Sequence, residues 1–167
     1  MSNEENALGY CYDHNQPECC CQKPRHKREV ALNAASGSAG PLPLITTTLA
    51  SPINVVTTSI DTTGIGNTNN LLKFTSTISL PLGISVTLNF QIQRVYNNGS
   101  PINVGSTYTF STSVNVLESE SFAFQFMDAN APEGYYTYSV NLSTNSIIDV
   151  TPGATVSAVL SVLAVAV

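Results

Sequence analysis

Residues 84–93, ISVTLNFQIQ, alternate without a break: Ile84, Val86, Leu88, Phe90 and Ile92 are apolar, while Ser85, Thr87, Asn89, Gln91 and Gln93 are polar. Successive side chains of an extended chain point to opposite faces, so a period of two predicts a β-strand with one buried and one wet face. A helix would need apolar residues three and four apart, and no stretch of this sequence sustains that spacing. The alternation recurs in Leu72, Phe74, Ile78 and Leu80, in Tyr108 and Phe110, in Phe122, Phe124 and Phe126, and in Tyr136, Tyr138, Val140 and Leu142. These aromatics are expected in the core. After Tyr96, the tetrapeptide NNGS offers Asn98 and Gly99 for positive φ, which predicts a tight hairpin. Two Thr-rich stretches, LITTTLA (44–50) and INVVTTSI (53–60), are split by Pro52 and suit a sheet edge. With the closing run from Thr155 to Val167 this makes eight or nine strands, which predicts an all-β antiparallel sandwich of the jelly-roll type.

The stretch GSAGPLP (37–43) reads as Gly/Pro/Ser punctuation between a flexible segment and a folded one. It divides the chain into an N-terminal arm and linker, residues 1–41, and a sandwich domain, residues 42–167. The last strand departs from alternation: Val156, Ala158, Leu160, Val162, Ala164 and Ala166 share one face, while Val159, Leu163, Val165 and Val167 make the other nearly as apolar. A strand apolar on both sides needs a second cover, and another subunit is the natural one. The expected oligomer interface therefore draws on Val156, Val159, Leu160, Val162, Leu163, Val165 and Val167.

Charge is distributed unevenly. Residues 31–167 hold eight charged side chains, namely Lys73, Arg94, Asp61, Glu118, Glu120, Asp128, Glu133 and Asp149, while Ser, Thr and Asn account for 49 of those residues. A surface wetted by hydroxyls and amides does little to repel copies of itself. The net charge of −5 and the two basic residues of the body argue against a nucleic-acid partner, which needs clustered Lys and Arg. The run KPRHKR (23–28) is either a solvated tail balanced by Glu18 and Glu29 or a contact for an anionic surface or a protease. Met1–Gly9, MSNEENALG, lacks the basic and apolar regions of a secretory signal, and the 12 residues VSAVLSVLAVAV are too few to cross a bilayer as a helix. Neither export by that signal nor a membrane partner is expected.

Catalysis is not expected either. Both histidines, His14 and His26, and all four cysteines, Cys11, Cys19, Cys20 and Cys21, precede Arg28, so the body cannot assemble a Ser-His-acid or Cys-His site. The carboxylates of the body show no spacing that selects a catalytic pair or a calcium site. A zinc site in the arm would use Cys11, His14, Cys19, Cys20, Cys21 and His26. Cys11 and His14 have ligand spacing, but adjacent cysteines do not bend easily to one metal, so neither metal nor cofactor is expected. Neighbouring Cα atoms lie about 3.8 Å apart, short of the roughly 4.4–6.8 Å a disulfide needs. At most one comfortable bond within the chain, from Cys11 to one of the three, leaves two thiols that stay free, bind metal or bond to other chains. Their place on an arm, outside the part that folds, favours links between chains.

Two parts of the sequence resemble known proteins. The body, from LLKFTSTISL through LNFQIQRVYNNGSPINVG, YTFSTS, SFAFQF, YYTYSV and VSAVLSVLAV, resembles a family of uncharacterised domains from spore-forming Firmicutes. Its closing strand is similar to that of trimeric tumour-necrosis-factor-like domains. The arm with its cysteine triplet resembles the N-terminal connectors of Bacillus endospore appendage (Ena) subunits. That resemblance implies jelly-roll subunits stacked into a fibre on the spore, with arms bridging neighbours by disulfides. It also implies localisation at the spore surface, in exosporium or coat, reached on mother-cell lysis without a signal peptide. In those proteins the connector bonds to cysteines in another subunit's core. This body has none, so arm cysteines would bond to arm cysteines or to a different, anchoring spore-surface protein. The expected function is a self-assembling structural subunit, a homotrimer stacked into a disulfide-crosslinked fibre. The alternative is a trimeric binding module whose loops DTTGIGNTNN (61–70) and MDANAPEG (127–134) recognise carbohydrate or a surface.

Overall fold

Residues 28–42, 51–80, 85–113, 118–144 and 153–167 are described by the computed structural model of the chain. They form eight strands and, among the described residues, no helix: β1 (Val30–Ala39), β2 (Ile53–Asp61), β3 (Thr68–Leu80), β4 (Ser85–Tyr96), β5 (Ile102–Ser113), β6 (Glu118–Ala131), β7 (Tyr135–Ser143) and β8 (Thr155–Ala166). First pairs with last: β1 with β8, β2 with β7, β3 with β6 and β4 with β5, all antiparallel. That ladder is rolled so that β8 also pairs with β3 and β7 with β4, giving sheets ordered β1-β8-β3-β6 and β2-β7-β4-β5. This is the jelly roll that the alternation predicts.

Burial follows the period of two. Leu72, Phe74, Ile78 and Leu80 of β3, Val86, Leu88, Phe90 and Ile92 of β4, and Tyr136, Tyr138, Val140 and Leu142 of β7 meet in one core. Phe74 and Phe90 span the two sheets with ring centres 5.4 Å apart. The Phe122, Phe124 and Phe126 side chains point inward too, but they are half-buried because β6 and β5 are the two sheet edges that pack least closely. Tyr108 covers Phe124 there, stacked at 3.9 Å and 5°. INVVTTSI forms an edge strand, β2, as its Thr content and Pro52 suggest; LITTTLA lies outside the described residues.

Two expectations are corrected. The fold begins before Leu42: residues 30–39, assigned to the arm, are β1, paired along their whole length with β8. Gly37 reads as a linker glycine, yet it serves a close crossing, since a Cβ there would lie 2.2 Å from the Val55 carbonyl oxygen of β2. The hairpin after β4 forms, but its positive φ values fall on Asn97 (45°) and Asn98 (60°) rather than on Asn98 and Gly99. The Gly99 amide donates to the Tyr96 carbonyl at 2.8 Å, which makes Asn97 and Asn98 the central pair of a type I′ turn. Asn97 is held there because its Oδ1 accepts the Tyr135 amide at 2.8 Å.

Candidate assembly surface

Arg94 on β4 reaches across the sandwich to Asp128 on β6, its Nη1 lying 2.8 Å from both carboxylate oxygens. The Tyr138 hydroxyl donates to Asp128 at 2.7 Å and accepts from Asn70 Nδ2 at 2.9 Å, and Thr68 donates to Asn70 at 2.8 Å. Four strands from both sheets thus share one polar network. Burial, and next the bond to Asp128, push the Tyr138 phenol far above its ordinary range. Burial, the largest single effect, lowers the Arg94 guanidinium, but the bond to Asp128, its charge and the nearby Tyr138 and Tyr136 together outweigh it, and the net shift is upward. With its carboxylate held from two sides and its phenol kept neutral, the network ties the sheets together.

The loops expected to form a binding site do come together, around 61–68 and 129–134. The Thr62 amide and hydroxyl both donate to the Gly134 carbonyl, at 2.9 and 3.0 Å, and the Gly134 amide donates back to the Thr62 hydroxyl at 3.0 Å. Asn67 donates to the Asn130 side chain at 3.1 Å, and the Asn130 amide donates to Asn69 Oδ1 at 2.9 Å. Both carboxylates at this end are engaged: Asp61 accepts the Thr63 amide at 2.9 Å, and its pKa is lowered first by the bond from the Thr63 side chain and then by that amide, while Glu133 accepts the Gly64 amide at 3.2 Å. Ile65 is buried beneath. Polar groups that satisfy one another make a cap on the sandwich, and no three Asp, Glu, His or Cys side chains gather to hold a metal among the described residues.

The two outer faces differ in kind. On the β2-β7-β4-β5 sheet, amides and hydroxyls bond to each other: Gln93 to Asn103 at 3.1 Å, Asn54 to Asn141 at 3.1 Å, Thr107 to Gln91 at 3.0 Å and Thr109 to Asn89 at 2.9 Å. Pro52, Gln91, Gln93, Asn103, Thr107 and Asn141 border a cleft of about 220 Å³ there. On the β1-β8-β3-β6 sheet, the register aligns Leu32, Leu163, Leu71 and Met127 in one row across all four strands. Val30 and Val165 pair in the next row, and Val167 lies beyond the strand end. Leu32 is 69% exposed, Met127 47% and Val167 76%, so this row meets solvent. Val159 is exposed on the same face, the remaining positions are small or polar, and Lys73 is its one charged side chain among the described residues.

The predicted interface residues therefore divide. Val159, Leu163 and Val165 point outward and the Val167 side chain is exposed, its amide donating to the Asn67 carbonyl at 3.0 Å, whereas Val156, Leu160 and Val162 are completely buried in this chain's own core. The correction has a simple cause: β8 is an inner strand of its sheet, flanked by β1 and β3, so one of its apolar faces is covered by β7 and its neighbours. Sequence reasoning missed Leu32, Leu71 and Met127. Leu71 does break the alternation beside Leu72, and Met127 follows Phe126, but only the register brings them into line with Leu163. Cys11, Cys19, Cys20, Cys21, His14 and His26 lie outside the described residues.

Among curated proteins no sequence matches this chain. Solved structures similar to this chain include one in the structure of infectious bursal disease virus Gx strain, 10% identical over 84% of this chain and 33% of that one, with a TM-score of 0.49. Another is in the human norovirus GI.7 Houston strain virus-like particle, 10% identical over 86% of this chain and 35% of that one, with a TM-score of 0.38. The bacteriophage CBA120 tailspike protein 4 domain matches at 14% identity over 80% of this chain and 19% of that one, with a TM-score of 0.36. The chain spans about a third or less of the length of each. A family model describes residues 29–167, which begin one residue before β1 and end with the chain, and by that match the protein belongs to the DUF4489 family, a domain of unknown function.

Proposed function

We propose that this chain is a structural subunit that assembles with copies of itself, as a homotrimer stacked into a spore-surface fibre whose arms are crosslinked by disulfides. The observation that carries the reading is a division of labour along the chain. The described part of residues 28–167 forms an eight-stranded sandwich, no cysteine occurs in that range, and all four cysteines lie ahead of it. Disulfides are therefore not needed to fold the domain and are free to join one chain to another. Each link forms when a thiolate attacks a low-molecular-weight disulfide and a second thiol displaces the mixed disulfide, releasing two small thiols. The resemblance of the arm to endospore appendage connectors supplies the spore setting, and Cys19, Cys20 and Cys21 supply more thiols than one chain can pair comfortably.

Negative-stain microscopy of the oxidised protein, with and without reductant, tests this. Filaments are expected that resist denaturant until reduced, together with a non-reducing ladder that collapses to a single 17.7 kDa band. A chain that stays monomeric and unladdered under oxidised glutathione overturns the reading. A second reading, a binding module for carbohydrate, is favoured by the uncharged amide-lined cleft at Gln91, Gln93, Asn103 and Asn141. Chemical-shift changes confined to those residues on titration with oligosaccharides would support it over the first.

A further inference from the structure

The outer face of the β1-β8-β3-β6 sheet is the one extended surface of the described residues that combines exposed apolar side chains with almost no charge. Its row Leu32, Leu163, Leu71 and Met127, with Val30 and Val165 beside it, spans the whole sheet at one end. We infer that this face is the surface on which copies of the chain meet, and that their meeting delivers the arm cysteines to one another. The inference rests on the self-assembly reading and names its surface and its order of events.

Four arguments select a second copy as the occupant. Strands of 12 and 13 residues, β8 and β3, reach about 40 Å at 3.3 Å per residue, and four strands about 4.8 Å apart are roughly 19 Å wide. The face thus offers about 760 Å², close to the roughly 800 Å² that each partner of a stable complex contributes. Lys73 is its single charge among the described residues, so the face carries nothing that strongly repels its own copy, and depletion of charge is what interface centres show. The chain's own residues 1–27 are a poor cover, because MSNEENALGYCYDHNQPECCCQKPRHK mixes its four large apolar side chains, Met1, Leu8, Tyr10 and Tyr12, with seven Asp, Glu, Lys and Arg that would lose water against an apolar face. Finally, the arm joins the domain within this face: Arg28 and Glu29 lead directly into Val30 and Leu32, and the Glu29 carbonyl accepts the Ala166 amide at 2.8 Å.

The last point ties the face to the thiols. Cys21 is eight residues before Glu29, a reach of at most about 28 Å. Copies that meet on this face start their arms side by side, so non-covalent association comes first and oxidation locks it. Tethering of this kind gives a local thiol concentration near millimolar, about 100-fold or more above that of free chains at micromolar concentration.

The test uses the full chain, reduced, in light scattering. Leu32→Lys with Met127→Lys, both at exposed positions, is expected to lower the mass to 17.7 kDa while the circular dichroism spectrum stays as in the wild type and unfolding remains one cooperative transition. Thr57→Lys, exposed on the opposite sheet, is expected to leave the assembly intact. On addition of oxidised glutathione, the double variant should form its ladder about 100-fold more slowly than the wild type. A double variant that keeps the wild-type mass overturns this surface and leaves the self-assembly reading standing, as does dissociation by Thr57→Lys alone. Deletion of residues 1–27 that yields monomers, when the double variant does not, would assign assembly to the arm instead. A wild type that is monomeric and unladdered overturns both readings together.

Discussion

Tyr138 is the residue on which the two sheets depend most specifically. Its hydroxyl gives a hydrogen bond to Asp128 and takes one from Asn70, all within the buried end of the sandwich. Tyr138→Phe keeps the ring but leaves the Asn70 amide without its acceptor and Asp128 short of a donor. An expected loss of about 1–3 kcal/mol follows from leaving buried polar groups unsatisfied, readable as a lower midpoint in urea with unchanged slope. The same burial fixes a pH dependence. Tyr136, whose hydroxyl donates to the Pro132 carbonyl, is pushed up from 10.0 to about 12 by burial and by nearby Tyr96, and Tyr138 is raised still further. Stability from tyrosines with raised values is whole below about pH 10 and falls above it, because the unfolded chain then sheds protons that the folded chain retains. Unfolding free energy should decline between pH 10 and about 12, and less steeply in Tyr138→Phe. A flat profile through that window would contradict the burial of these phenols.

Among the elements, β1 and β8 bear most on the proposed assembly. Gly37 lets β1 cross β2 where no side chain fits, so Gly37→Ala forces the strands apart against Val55 and Val56. Its expected cost is about 1–3 kcal/mol, the range for overpacking, measured by thermal or chemical unfolding. On β8 the two faces should separate cleanly. Leu160→Ala removes a fully buried side chain and is expected to cost about 2–5 kcal/mol, whereas Leu32→Ser on the paired strand should stay within about 0.5 kcal/mol in the unassembled chain. Truncation discriminates further. A chain starting at Arg28 retains β1 and should fold, while one starting at Leu42 exposes the β8 edge, with its unpaired backbone and apolar side chains, and should aggregate.

At the scale of the whole molecule, folding is expected to be separate from the proposed crosslinking. The described domain has no thiol, so the unassembled double variant Leu32→Lys/Met127→Lys should melt at the same temperature with and without reductant. The assembled, oxidised wild type should lose much of its resistance to denaturant on reduction. Equal loss of stability in both on reduction would mean that an arm disulfide supports the fold itself. The faces divide in the same way: one is occupied by amides bonded to each other, the other presents apolar side chains with one lysine.

Strand period, the lack of helix among the described residues, the inward set Val86, Leu88, Phe90 and Ile92, and the edge position of INVVTTSI were legible because each depends on neighbours two residues apart. So was the exclusion of thiol and histidine chemistry from the body, which is a matter of composition. The tertiary structure alone decided the rest. Gly37 looks like a linker until β2 is seen beneath it, and Val156, Leu160 and Val162 look like an interface until β8 is placed between β1 and β3. Arg94, Asp128, Tyr138 and Asn70 sit on four different strands, so no local spacing announces their network. Leu32, Leu71, Met127 and Leu163 form a row only through the pairing of first strand with last and third with sixth and eighth. A slip of one residue in any of these pairings would turn the row inward, because in a sheet the register, and not the composition, decides which side chains share a face.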